Sequence, residues 1–216
     1  DVIVLWPFTR LRGTKIVWDA FLSLHDTVVS DRQIVPENGL AGKFLYLWES
    51  IACRLADRVI LDTEAQKRLF VEHYKLDPGK TGSVLVGVES EIFLNHEKDY
   101  SDFGADHFNL LFYGQFIPLH GIPCIIGAAR LLAREKVHFL IVGKGHESEK
   151  IAAMMKEVPL ENVRFIPWVE YEKLHRLINA ADVCLGIFGE SGKASRVIPN
   201  KVFQIIQARK PLITLD

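Results

Sequence analysis

The sequence predicts an α/β protein built on parallel sheets, and three observations carry that expectation. Short runs of β-branched and other apolar residues alternate with amphipathic helical patterns through most of the 216 residues. In the second half these runs are apolar almost without interruption, the pattern of strands buried on both faces. One stretch, LNHEKDYSDFGADH at 94–107, turns polar and loses periodicity, so the chain divides into a first part, 1–93, a linker, 94–107, and a second part, 108–216.

In the first part, 1–6, 15–21 and 58–62 read as strands. Residues 40–56 read as a helix in which Ala41, Phe44, Leu45, Trp48, Ile51, Ala52 and Leu55 recur at three and four. Lys43, Glu49, Arg54 and Asp57 fall away from that stripe. A helix over 64–74 follows Thr63, an N-cap with Gln66 as its capping-box partner. In the second part, strands are expected at 109–114, 138–143, 163–166, 182–188 and 211–215, with helices at 122–135, 147–158, 170–181 and 200–209. Buried strands joined by helices require right-handed crossovers, which makes this half a doubly wound, Rossmann-like unit.

Composition narrows the function classes. A formal charge of -1 removes bulk attraction to nucleic acid as an expectation, so no nucleic-acid partner is assigned. No stretch has the form of a signal peptide or a membrane span, which points to a cytoplasmic protein. Cys53, Cys124 and Cys184 each sit in apolar sequence with no CxxC spacing and read as buried reduced thiols. The eight histidines form no metal-binding constellation, so no metal and no cofactor is expected.

Ligands of doubly wound sheets lie beyond the carboxyl ends of the strands. Three glycine-bearing loops fall there: YGQFIPLHGIP at 113–123, VGKGHES at 142–148, and GESGKASRVIPNK, which leaves the strand at 182–188 and feeds the helix at Asn200. The first and last lead to helix N-termini, where free N–H groups favour an anion. Lys193, Arg196 and Lys201 add positive charge to that last loop. It is not a Walker A loop: the required first glycine falls on Ile187, and Ala194 stands where the magnesium-binding hydroxyl belongs. Nor does VGKGHES complete a dinucleotide fingerprint, because Ser148 replaces the third glycine.

The ordered segments LLFYGQFIPLHGIPCIIGAARLL, FLIVGKGHE, VRFIPWVEYEKLHRLINAADVCL and IPNKVFQIIQARKPLIT resemble the donor-binding domain of group 1 (family 4) retaining glycosyltransferases. TKIVWDAFLSL, WESIACRLADRVILDTEAQKRLF and KTGSVLVGVESEIF resemble the second half of that family's acceptor domain. The resemblance implies two Rossmann-like domains of the GT-B type, with 1–93 the second half of an acceptor-side domain and 108–216 a donor domain incomplete at its end. It implies transfer of a hexose from a nucleotide diphosphate sugar to a saccharide or lipid-linked acceptor, with retained configuration and no metal. Because the chain opens on a strand-like run and stops at Asp216 directly after a strand, it reads as an internal portion of a longer enzyme, inactive alone, with peripheral membrane contact assigned to the missing N-terminal half.

The sequence departs from the family where the family grips phosphate. Gln115 and His120 replace an arginine and a lysine, and of the usual pair of glutamates the later, ribose-binding one falls on Gln204 and the earlier near Arg196. The donor site expected on this basis comprises Gly114, Gln115, His120, Gly121, Lys193, Arg196, Asn200, Lys201 and Gln204, with Lys193 and Arg196 standing in for the lost cations. Gln115 and His120 also suit a role as turn supports. On the acceptor side Asp19 and Asp26 flank His25, and Asp19 is the carboxylate assigned to an acceptor hydroxyl, Asp26 being equally suited to cap a loop. The substitutions also suit an inactive nucleotide-sugar-binding remnant, and the fold alone suits a nucleotide-dependent enzyme of other chemistry.

Overall fold

The structure, a computed structural model, describes residues 2–94, 96–157 and 159–215. The first residue of the strand expected at 1–6, one position of the segment 94–107, the last residue of the helix expected at 147–158 and Asp216 lie outside that set. The chain forms two compact units, one of residues 1–86 with 191–198, the other of residues 87–190 with 199–216.

The first unit holds a three-stranded parallel sheet of β1 (Val17–Phe21), β2 (Arg58–Leu61) and β3 (Thr81–Ser83), in that order. The strand expected at 1–6 is instead part of helix α1 (Val2–Leu11). The helix continues for ten residues, through Thr9 and Arg10 to Leu11, a helical rather than a strand length, and Gly13, at φ 64°, follows its end. Helix α2 (Leu40–Leu55) forms where its periodicity predicts, but its buried face overlaps the expected stripe only in part: Ala52 is buried and Leu55 packs on the core, yet Gly42, Glu49, Ser50 and Cys53 also turn inward, while Phe44 and Trp48 stay outside with ring centres 5.8 Å apart. Helix α3 (Glu64–Tyr74) is capped as its sequence predicts, with the Thr63 hydroxyl accepting from the Gln66 N–H at 3.1 Å. Cys53, Val59, Leu61, Phe70 and Tyr74 form the core of the unit.

The second unit begins with the short helix α4 (Ser90–Phe93) and is built on a five-stranded parallel sheet. Its strands are β4 (Phe108–Tyr113), β5 (Val137–Val142), β6 (Val163–Ile166), β7 (Val183–Leu185) and β8 (Leu212–Ile213), ordered β6-β5-β4-β7-β8. The helices are α5 (Ile122–Leu131), α6 (Ser148–Glu157), α7 (Tyr171–Ala180) and α8 (Asn200–Gln207). Alternation along β4 makes two cores: Leu111 and Tyr113 pack with Leu174, Ile178 and Ile205 of α7 and α8, whereas Leu110 and Phe112 pack with Ile122 and Ile126 of α5 and Ile151 of α6. This is the doubly wound α/β arrangement that the sequence predicts. Cys53 and Cys184 are buried, and burial pushes both thiols up to about 12, but Cys124 is exposed, because α5 turns that position outward. No helix among the described residues is long and apolar enough to cross a membrane.

Candidate functional site

Beyond the carboxyl ends of β4, β5 and β6 the second unit opens into a cavity of about 530 Å³. Tyr113, Gly114 and Gln115 line it from the first loop, Val142–Gly145 from the second, and Pro167, Trp168 and Val169 from the third, with Leu174 of α7. Backbone bonds lace these loops together: Gly114 N donates to Val142 O at 3.0 Å, Gly143 N to Ile166 O at 2.8 Å, and Phe116 N to Lys144 O at 3.1 Å. The approach depends on glycine at Gly143, where φ is 150° and a Cβ would fall 1.9 Å from Gly114 O. Trp168 is 64% exposed, leaving its indole free to receive a flat ring.

The loop expected to hold phosphate from β4 is closed against the loop after β7. Phe188 N donates to His120 O at 3.2 Å and Gly189 N to Leu119 O at 3.1 Å. Gly121, in the left-handed region at φ 61°, is the N-cap of α5. His120 is buried, and its Nδ1 bonds the Gln115 carbonyl. Burial, with the nearby Lys201 charge as the smaller cause, lowers its pKa to about 4, so the imidazole is neutral at neutral pH and braces the turn. Lys201 is buried too; its Nζ donates to Gly186 O at 3.3 Å and stands 3.8 Å from the centre of the Phe112 ring, and burial holds its pKa well below the usual range. Gln115 is exposed on the cavity rim, and Asn200, exposed, opens α8 without a side-chain cap.

Gln204 bridges two tyrosines. Tyr113 Oη donates toward Gln204 Oε1 at 3.1 Å and Lys201 O at 3.2 Å, and Gln204 Nε2 donates to Tyr171 Oη at 3.3 Å. Tyr171 in turn donates to Glu89 Oε2 at 2.6 Å. Both ends of the Gln204 amide are therefore engaged, and with Tyr113 it joins the cavity wall to α8.

The remaining expected residues belong to the first unit. Asp19 is exposed in the middle of β1, where its Oδ1 accepts from Phe21 N at 3.2 Å and steadies a bulge in which Phe21 has φ 53°. Segment 191–198 lies on a π-helical turn, Asp26–Asp31. Arg196 Nη2 donates to Asp26 Oδ2 at 2.8 Å, Lys193 Nζ donates to Thr27 Oγ1 at 2.8 Å and lies 4.0 Å from Asp31 Oδ2, and Ser191 Oγ donates to Asp31 Oδ1 at 3.1 Å. Thr63 Oγ1 donates to Arg196 O at 2.6 Å. Lys193 is only 7% exposed, and its burial lowers its pKa. Thus Gly114, Gln115, His120, Gly121, Lys201 and Gln204 come together in one unit, and Lys193 and Arg196 meet carboxylates in the other.

The cavity also uses residues that the sequence reading passed over. Lys144 lay in plain view inside VGKGHES, and Trp168 and Val169 follow the strand-like run VRFI. Their signal was position: they occupy the carboxyl end of a parallel strand, as the glycine loops do. Glu49 gave no such signal. Its carboxylate accepts from Ser23 Oγ, Leu24 N, His25 N and Tyr74 Oη at 2.5–3.1 Å, partners drawn from the β1 loop and α3.

Comparison with known proteins places this geometry. Residues 96–186 match the family described as glycosyl transferases, group 1. A D-inositol 3-phosphate glycosyltransferase of Geodermatophilus obscurus is 31% identical over 148 residues, 60% of this chain and 32% of the relative. Among solved structures, HepE of Anabaena in complex with UDP and glucose superposes with a TM-score of 0.70 at 16% identity, covering 99% of this chain and 56% of that one. Sucrose-phosphate synthase of Thermosynechococcus elongatus gives 0.72 at 19% identity, over 97% and 53%. The chain spans about a third of its curated relative and little more than half of these structures. Residues 96–186 are thus similar to group 1 glycosyltransferases, and the chain has the α/β fold of these structures.

Proposed function

We propose that this chain supplies the donor-nucleotide site of a retaining hexosyltransferase that moves a sugar from a nucleoside diphosphate to a saccharide or lipid-linked acceptor. The observation that carries the proposal is the cavity of about 530 Å³ at the carboxyl ends of β4, β5 and β6, walled by Trp168, Val169, Val142 and Leu174. Its volume lies within the range typical of small-ligand sites. In this reading the nucleobase lies against Trp168, and Gly114 and Gln115 face the sugar and phosphates. Uridine is the first choice of base, because HepE was crystallised with UDP and glucose.

The roles follow from placement. His120, neutral and buried, and Gln204, held between two tyrosines, are positioning residues for the cavity wall. Lys193 and Arg196 are assigned to fastening segment 191–198 onto Asp26 and Asp31, because their charges are already met there. Asp19 is assigned to the acceptor hydroxyl by its exposure on β1. Catalysis then rests on preorganised groups that stabilise the departing diphosphate.

A thermal-shift panel of UDP, GDP and ADP sugars on the full protein tests the proposal. A ligand that binds only the native state raises the melting temperature, by about 2.7 kcal/mol of stabilisation at a hundredfold excess over Kd. A UDP sugar should raise it, and Trp168→Ala should remove most of the rise. No shift with any of the three at millimolar concentration would overturn the donor site. A shift without turnover would favour the inactive remnant, and the anomeric configuration of the product by NMR decides retention.

A further inference from the structure

We propose that Lys144 is the phosphate-binding cation of this donor site, an assignment that rests on the donor-nucleotide reading above. The site's need for such a cation follows from its composition. A nucleoside diphosphate is an anion, and Lys144 is the one charged residue among those lining the cavity. The same lysine lines a neighbouring cavity of about 380 Å³, otherwise walled by Phe116, Ile151, Met155, Phe165 and smaller residues, so it stands on the ridge between two largely apolar hollows. No ion pair or hydrogen bond engages its ammonium among the described residues, and the residue is exposed.

Three other basic residues of the second unit are accounted for. Lys201 is buried and donates to Gly186 O. His120 is uncharged at neutral pH. Lys150 reaches Glu147 at 3.1 Å. Gln115 carries no charge where the sequence comparison called for an arginine.

The backbone beneath Lys144 is fixed while its side chain is free. Lys144 O accepts from Phe116 N at 3.1 Å, Glu147 N donates to Phe116 O at 2.9 Å, and Gly145 N donates to Ser148 Oγ at 2.8 Å. Gly145 lies so close to the neighbouring loop that a Cβ there would fall 2.7 Å from Phe116 N and O. A lysine rooted in a braced turn, with its ammonium unpartnered beside an apolar wall, gains a charge-assisted bond when an anion enters, with no internal ion pair to break.

Titration calorimetry on the full protein with UDP and with uridine tests the assignment. Lys144→Ala should weaken UDP by about tenfold, which corresponds to about 1.4 kcal/mol. Uridine, lacking phosphate, should bind the variant and the parent within about twofold, and Lys144→Arg should restore most of the UDP affinity. Lys150→Ala should leave both ligands unchanged. An unchanged UDP affinity in Lys144→Ala overturns the assignment and leaves the donor site standing. Equal loss of UDP and uridine overturns it too, because the lysine then serves the base or the shape of the cavity. Failure of the parent to bind either ligand removes the donor-nucleotide reading itself, and the assignment with it.

Discussion

In the first unit three buried carboxylates are answered: Glu49 receives four donors, Asp26 holds Arg196, and Asp31 holds Ser191 with Lys193 nearby. In the second, the large cavity is walled by apolar and aromatic side chains, glycines and Gln115, and its one charge, Lys144, projects without a partner. A buried charge without partners is expensive, so the first arrangement consumes its own electrostatics in holding loops together. The second keeps its electrostatics available to a ligand. Lysines and arginines in glycine-rich loops therefore cannot be sorted by sequence spacing alone: Lys193 and Lys144 each follow a glycine, and only the second is open.

The largest effect that tests this comparison is expected at Glu49. Replacing it by alanine strands two backbone N–H groups and one of the hydroxyls of Ser23 and Tyr74, which still bond each other at 3.1 Å, and at about 1 kcal/mol for each stranded donor the loss is about 3 kcal/mol. Amide exchange should quicken through β2 and α3 of the first unit while β4 and β5 of the second keep their protection. Glu49→Gln, which keeps an acceptor, should cost less than half as much. Equal loss of protection in both units would end the distinction between them.

Second in size is a pH effect at His120. Its folded pKa, about 4, lies below the ordinary 6.5, so the unfolded chain binds the proton first as pH falls. Its contribution is fully present above about pH 6.5 and is lost progressively as pH falls toward 4, amounting to about 2 to 3 kcal/mol by pH 4.5. His120→Asn keeps a donor for the Gln115 carbonyl without a titrating group. Urea unfolding of parent and variant at pH 7 and pH 4.5 should show the parent losing more stability on acidification by that amount. Equal losses would mean that this histidine does not stay neutral in the fold.

Much of the second unit was legible because parallel strands covered on both faces leave long apolar runs, and every strand and helix expected between 108 and 216 is present. The first unit was harder to read. The run at 1–6 carries strand-favouring residues, yet it extends to Leu11 and forms α1. In α2 the apolar stripe picked out Phe44 and Trp48 for burial, whereas the buried face is set by Glu49, whose partners lie in the β1 loop and α3 and so have no local trace. Periodicity reports which side chains avoid water. It does not report which backbone N–H groups elsewhere need an acceptor.

The smallest expected effect lies on α7, where charge is neither buried nor offered to a ligand. Lys173 Nζ meets Glu170 Oε2 at 2.5 Å, but the two side chains are 60% and 50% exposed. Water screens such a pair, and ordering two long side chains offsets much of the Coulomb gain. Lys173→Ala should therefore change stability by less than about 0.5 kcal/mol, and at 1 M salt, where the screening length falls to about 3 Å, the change should vanish. Paired urea titrations at low and high salt measure it. If Lys173→Ala instead costs as much as Glu49→Ala and the cost persists in salt, partner geometry alone would set the strength of a polar contact in this protein, and the contrast between a buried, consumed charge and an exposed one would lose its physical basis.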